Sequence, residues 1–188
     1  SRSNRSHQWF DTVRGVNKHI HSDTTAAEVT DSNMNQTFTS TGFTFNNTYT
    51  DLNDINGNYA SWSFRKAKGF FDIVTYTGNG GGSGRSISHN LGSIPGLVII
   101  KPTNAATNWT IYHRDVGFSN GFIFDAYGAQ FASPVSAVSD TTFTPTSAEN
   151  INGRNYIVYL FAGGESTAAT ASSINYASNG LGRTYTTS

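Results

Sequence analysis

Several residue groups in this chain have the right types for chemistry, and their spacing limits what each can do. His19 and His21 stand two apart, which on a strand turns both imidazoles to one face where they could grip a metal ion. A protein metal site needs three or four ligands. No third histidine or carboxylate stands at a matching spacing, so no metal is expected. Asp51, Asn53, Asp54 and Asn56 before Gly57 offer oxygens like those of a calcium loop. Those oxygens miss the every-second-residue pattern, and Trp62 stands where the bidentate Glu belongs. Turn-forming Asn and Asp side chains account for the run. Asp11, Asp72, Asp115 and Asp125 could supply the two carboxylates of a glycosidase, but no spacing selects a pair. The stretch Gly78-Asn79-Gly80-Gly81-Gly82-Ser83-Gly84-Arg85-Ser86 shares only its glycines with a phosphate-binding loop. Such a loop needs Gly-Lys-Ser/Thr opening a helix. Here the basic residue is Arg85 and a strand pattern follows, so a hairpin loop is expected. There is no Gly-x-Ser-x-Gly elbow, and neither a cofactor nor an enzymatic activity is expected.

Trp9 with Arg14 and Trp109 with Arg114 share a spacing of five. Along a strand, residues five apart point to opposite faces. The tryptophans are expected to fill a core, and the arginines to satisfy carbonyls or pair with Asp11 and Asp115. The other use of such residues is as an exposed aromatic platform for sugar rings, which makes these four the candidate glycan or partner contacts. His89 is expected to cap the turn before Leu91-Gly92.

The elements that must carry these residues are strands. Thr37–Thr39, Gly42–Phe45, Tyr59–Phe64, Phe71–Tyr76, Leu97–Ile100, Trp109–Tyr112, Phe122–Phe124 and Tyr156–Phe161 alternate polar and apolar residues or run apolar. Asn56-Gly57, Pro95-Gly96, Asn120-Gly121 and Asn152-Gly153 punctuate them with turn-forming residues. Asp23 to Glu28 could form one helical turn with Asp23 as its N-cap. The reading is an all-β antiparallel sandwich, jelly-roll-like. The side chains expected inside are Phe43, Phe45, Trp62, Phe64, Ile73, Val98, Ile100, Trp109, Ile111, Phe124, Ile157, Tyr159 and Phe161.

Composition agrees. Ser, Thr, Asn and Gly make up 84 of 188 residues, while charged residues are 13% and aromatics also 13%. Low charge with many aromatics is the reverse of a disordered chain. A net charge of zero offers no basic footprint for nucleic acid or an anionic membrane. No run of 18 apolar residues is present to insert in a bilayer. With no cysteine there are no disulfides or thiolate metal sites, so stability is expected to come from sheet packing or oligomerisation. The opening SRSNRSHQWF has neither a Met nor the apolar run of a signal peptide, which predicts a processed or partial chain.

Fragments of the sequence recur. Trp9/Arg14 matches Trp109/Arg114, Ile55-Asn56-Gly57 matches Ile151-Asn152-Gly153, Tyr59/Phe64 matches Tyr156/Phe161, and Tyr76/Asn79-Gly80 matches Tyr176/Asn179-Gly180. The order and the offset predict an imperfect repeat of about 100 residues. On this reading 1–67 is a partial unit and 70–164 a complete one. Residues 165–188 open a further unit or act as an assembly arm through Ile174, Tyr176 and Tyr185. In the second role the arm would complete the 1–67 segment of another copy by strand addition.

Two signatures resemble a repeated domain of tailed-phage virion proteins, often of marine phages. The first is Gln8-Trp9-Phe10-Asp11-Thr12-Val13-Arg14-Gly15 with Ser22–Glu28 and Gly42-Phe43-Thr44. The second is Ile73–Gly80 with His89–Lys101. Together they cover most of 7–164. The resemblance implies a structural or adhesive virion component: tail fibre, capsid fibre or head decoration. It implies a location on the virion surface after assembly in the host cytoplasm. The partners implied are further copies of itself, other virion proteins and host surface glycans, and it brings no catalytic residues. A host-glycan receptor-binding module is the alternative, with a glycan depolymerase behind it.

Overall fold

The computed structural model describes residues 5–45, 50–82, 84–126 and 131–163, and the backbone of two strands at 173–176 and 183–186. Strand accounts for 36% of residues and helix for 6%. In chain order the first strands are β1 (Gln8–Trp9), β2 (Lys18–His21), β3 (Val29–Thr30), β4 (Thr37–Phe38) and β5 (Phe43–Thr44). A single helical turn, α1 (Thr50–Asn53), separates them from β6 (Phe71–Thr77), β7 (Ile87–Ser88), β8 (Pro95–Pro102) and β9 (Thr110–His113). Then come β10 (Phe122–Ile123), β11 (Val135–Val138), β12 (Thr142–Pro145), β13 (Asn155–Ala162), β14 (Ser173–Tyr176) and β15 (Arg183–Thr186).

The longest strands are those whose sequences run apolar. β6, β8 and β13 belong to a five-stranded sheet ordered β10-β9-β8-β13-β6, antiparallel throughout, in which β13 lies between β8 and the edge strand β6. Alternation gives this sheet two apolar faces. Tyr76, Val98, Ile100, Tyr112, Tyr156, Val158 and Leu160 pack with Ile87, Val135 and Phe143 from a three-stranded antiparallel sheet, β11-β12-β7. These two sheets are the sandwich. The other face carries Ile73, Ile99, Trp109, Ile157 and Tyr159, which meet Ile20 and Trp9 from a small sheet, β1-β2-β3. Residues 8–30 are therefore a third layer laid on the sandwich.

This corrects the repeat. Trp9 ends an edge strand of the small sheet, whereas Trp109 directly precedes β9 in the large one. The two rings touch, at 5.1 Å between centroids. Tyr156 and Phe161 lie on β13, while 59–64 forms no strand. Segments 7–67 and 107–164 thus have different topologies and pack against each other. What recurs is local chemistry: an Asn-Gly turn followed by alternating aromatics.

Of the expected core, Ile73, Val98, Ile100, Trp109, Ile157 and Tyr159 are buried, and Phe45, Ile111 and Phe161 are half-buried. Phe43, Trp62, Phe64 and Phe124 are exposed instead. Phe43 lies on β5, which among the described residues pairs with β4 alone. Trp62 and Phe64 sit in a segment without a strand partner among the described residues, and Phe124 lies just past the edge strand β10. The tail residues Ile174, Tyr176 and Tyr185 lie on β14 and β15, which pair with each other in the register Ile174 to Tyr185 and Tyr176 to Arg183. What their side chains touch, and whether 165–188 reaches another copy, lies outside the described residues.

Candidate functional site

The third layer is fixed by charged groups, and these define the candidate site. β1 ends at Trp9, and Asp11 then turns the chain: its Oδ1 accepts from the backbone N–H of Val13 (3.0 Å) and of Arg14 (2.8 Å). Gly15 completes the turn at φ +96°, a conformation that glycine tolerates best. The turn folds the Arg14 side chain back over the strand it has just left. Its Nε donates to Asp11 Oδ2 at 2.5 Å and its Nη2 to the Trp9 carbonyl at 2.9 Å. Tyr159 on β13 donates its hydroxyl to the same Asp11 Oδ2 at 2.9 Å. Glu28 stands 3.4 Å from Arg14 Nη1 and 3.2 Å from Lys18 Nζ.

The Arg14 and Asp11 side chains are only 3% and 2% exposed. Burial works against the guanidinium charge, but Tyr159, Asp11 and Glu28 outweigh it and hold the Arg14 pKa above its ordinary value. Burial, with Asp11 adding to it, pushes the Tyr159 hydroxyl well above the usual phenol range, so it stays a donor. The Trp9 ring covers this network and leans on Trp109, Tyr159 and Phe124 with centroids 5.0 to 5.8 Å away. Trp109 is fully buried and donates its indole N–H to the His21 carbonyl at 2.8 Å.

Beside the network lies an open cleft of about 430 Å³, lined by Val13, Arg14, Lys18, Glu28, Thr75, Thr77, Thr103 and Asn155 among others. Its walls offer hydroxyls, an amide and the Lys18–Glu28 pair. Such walls can hydrogen-bond a small polyhydroxylated or amide-bearing ligand.

Trp9 turns inward as expected, but Arg14 does not take the opposite face: the turn at Asp11 breaks the strand between them and brings the guanidinium back to the Trp9 carbonyl. Arg14 takes both expected roles at once, a carbonyl and Asp11. Trp109 and Arg114 do not repeat the pattern. Trp109 has no face to offer a sugar ring. The Arg114 side chain is 42% exposed, pairs with Asp115 at 3.3 Å and reaches the Gly163 carbonyl. His89 Nδ1 accepts from the Leu91 N–H at 3.2 Å, the expected turn cap.

The four aspartates go separate ways. Asp72 is buried, 2.7 Å from Lys66, and accepts from the Asn90 N–H, also at 2.7 Å. Asp125 accepts from the Trp109 N–H at 3.0 Å, and Asp115 is exposed. His19 and His21 do share a face, with centroids 5.0 Å apart. Burial, and then the neighbouring His21, lowers the His19 pKa to about 4. Among the described residues no group of three or more His, Asp or Glu side chains is placed to hold a metal. No described helix is long and apolar enough to cross a membrane.

Sequence reasoning missed Lys101 and Glu149. Lys101 is fully buried on β8 and donates to the Thr25 and Thr107 carbonyls at 3.1 and 2.8 Å, so it ties the third layer to the sheet. Burial lowers its pKa to about 8. A lone lysine closing the apolar run Leu97–Ile100 was the available signal. Glu149, raised by burial to about 6, accepts from the Thr110 hydroxyl at 3.1 Å, and nothing in its local sequence marks it.

Over residues 1–183 the chain matches the family described as Domain of unknown function (DUF7483). No curated protein and no solved structure was found to match it.

Proposed function

The chain belongs to the DUF7483 family, and we propose that it serves as a structural and adhesive module of a tailed-phage virion, in a tail fibre, capsid fibre or head decoration. It works on the particle surface by assembling with copies of itself and with other virion proteins. The observation that carries this reading is the outer flank of the large sheet. There Phe118, Phe122, Phe124 and Phe131 are 36–47% exposed around the edge strand β10. Apolar groups gathered at a sheet edge favour association, because both the side chains and the unpaired backbone gain from a partner. The reading is also supported by the buried charges: Arg14, Asp11, Asp72 and Lys101 are each engaged in bonds that hold turns and layers in place.

The test is to purify particles of the phage that encodes the chain, digest them for mass spectrometry and label them with a gold-conjugated antibody. The chain should be found in the particle and label a surface appendage. Its absence from purified particles would overturn the proposal. Phe122→Ser with Phe124→Ser should reduce self-association in light scattering while the fold is kept.

The polar cleft supports a second reading, recognition of host surface glycans. A glycan array should then show binding that Lys18→Ala weakens. An array without hits would remove this reading and leave the structural one standing.

A further inference from the structure

Residues 60–66, Ala-Ser-Trp-Ser-Phe-Arg-Lys, have the period of a half-buried strand: Ala60, Trp62 and Phe64 alternate with Ser61, Ser63 and Arg65. Yet among the described residues the segment pairs with no strand, residues 58–68 are exposed throughout, and Trp62 is 81% exposed. Immediately after it the chain reverses. Ala67 and Phe71 exchange both backbone hydrogen bonds, at 2.9 and 3.0 Å, and the Phe70 N–H also reaches the Ala67 carbonyl. Gly69 takes φ +71° between them. This is a closed hairpin turn with a three-residue loop, and the strand that should follow it on one side is β6.

The Ala67–Phe71 bridge fixes a register: Lys66 opposite Asp72, Arg65 opposite Ile73, Phe64 opposite Val74, Ser63 opposite Thr75, Trp62 opposite Tyr76 and Ser61 opposite Thr77. The first of these pairs is already present as the 2.7 Å ion pair between Lys66 and Asp72. Four of the other five match in chemistry, the exception being Arg65 opposite Ile73. Trp62 and Phe64 would meet Tyr76 and Val74, which belong to the sandwich core. Ser61 and Ser63 would meet Thr77 and Thr75, which line the polar cleft.

β6 is an edge strand, and the bridge shows that Phe71, Ile73, Thr75 and Thr77 turn their backbone groups outward. Side chains stand in for a neighbouring strand at both ends. The Ile73 N–H donates to Asp72 Oδ1, and the Ile73 carbonyl accepts from Lys66 Nζ. The Thr77 carbonyl accepts from Arg85. Among the described residues nothing bonds the outward backbone of Thr75.

We propose that residues 60–66 are a sixth strand of the large sheet, closing as a hairpin onto the outer edge of β6 in the register set by Ala67 and Phe71. The occupant is the chain's own arm, because a three-residue turn holds it at the edge at an effective concentration that a second copy does not reach. Closing exchanges the contacts of Phe64 with Phe71 and Phe161 for Val74, and releases Arg65 from the Ser40 carbonyl. Closed, the arm seals an edge that would otherwise template pairing with another sheet. Open, it presents Trp62 and Phe64 to a partner. This inference concerns the opposite edge from the β10 flank and stands independently of it.

The chain has no cysteine, so introduced thiols report without interference. Ser63→Cys with Thr75→Cys would place two Cα atoms about 5.5 Å apart in the closed hairpin, within disulfide reach. Ser61→Cys with Thr75→Cys sits two residues out of register. Under mild oxidation the first pair should link within the monomer at least tenfold faster than the second. Equal rates, no linkage, or linkage only into dimers would overturn the proposal. Hydrogen exchange on the unaltered protein gives a second reading. The Thr75 amide should exchange at least tenfold more slowly than the unstructured-chain rate, and exchange at that rate would also overturn it.

Discussion

The large sheet has two faces, and the two covers are built differently. Toward β11-β12-β7 the contact is apolar: Phe143, Val135 and Leu160 are fully buried, and stacked Tyr76 and Tyr156 lie 4.8 Å apart. Toward residues 8–30 apolar contact is narrower, resting on Ile20 and the Trp9–Trp109–Tyr159 cluster. Directional bonds do the rest: Arg14 to Asp11, Tyr159 to Asp11, Lys101 to the Thr25 carbonyl, and Trp109 to the His21 carbonyl. Length does not separate the two covers, since both use strands of two to four residues. The side chains do: β7, β11 and β12 turn Ile87, Val135 and Phe143 inward, while the 8–30 layer sets Ile20 and Trp9 beside the buried polar groups Asp11 and His19, so apolar burial positions it less sharply. Hydrogen bonds to buried charges contribute little net stability but strongly penalise any other arrangement.

The comparison can be broken at either face. Phe143→Ala should cost about 3–5 kcal/mol through the cavity it leaves, and amides of both faces should lose protection together, because this core holds the sandwich. Arg14→Ala should also cost about 3–5 kcal/mol, since Asp11 is left charged and buried. Here hydrogen exchange should show residues 8–30 opening while β7 and β12 keep their protection. Equal loss everywhere would mean that the layers unfold as one unit.

Acid should act on the stapled face. The His19 pKa is about 4 in the fold against 6.5 for an ordinary histidine, so the unfolded chain binds the proton first. Stability from this group is complete above pH 6.5 and is lost as the pH falls toward 4. Glu149, raised to about 6 from 4.5, runs the other way over a narrower span: its contribution grows as the pH falls from 6 toward 4.5. Urea midpoints measured across this range should therefore decline, and His19→Leu should flatten the decline. An unchanged limb in that variant would count against the assignment.

On the alkaline side stability should rise rather than fall, through a shift of similar size to that of His19. Lys101 has a pKa of about 8 in the fold against 10.5, so stability should rise between those values as the buried ammonium sheds its proton. The neutral amine keeps two N–H groups, enough for both carbonyls. Lys101→Met should abolish the rise. The smallest effect is expected at Arg114, whose exposed pairing with Asp115 makes Arg114→Ala worth less than about 1 kcal/mol. Arg14 and Arg114 have the same sequence spacing to a tryptophan, so the gap between their costs measures how far burial separates them.

The β character of the chain was legible in its residues, because alternation is a local property and one strand displays it. The runs at 71–76, 97–100 and 156–161 became β6, β8 and β13, and the His89 cap could be read because it spans two residues. Low charge with many aromatics spoke against disorder, and short strands between Asn-Gly turns pointed to a sandwich. What alternation does not state is which face finds a cover, and from where. Tyr59–Phe64 has the same period as Tyr156–Phe161, yet β13 lies between two strands, while 59–64 forms no strand. Trp9 and Trp109 looked like equivalent positions and turned out to be partners, ring against ring. Lys101 read as the polar end of an apolar strand and became a buried clamp only because the loop carrying Thr25 lies over it. In each case the deciding contact joins residues far apart in the chain, and its energy depends on a neighbour that no local pattern encodes.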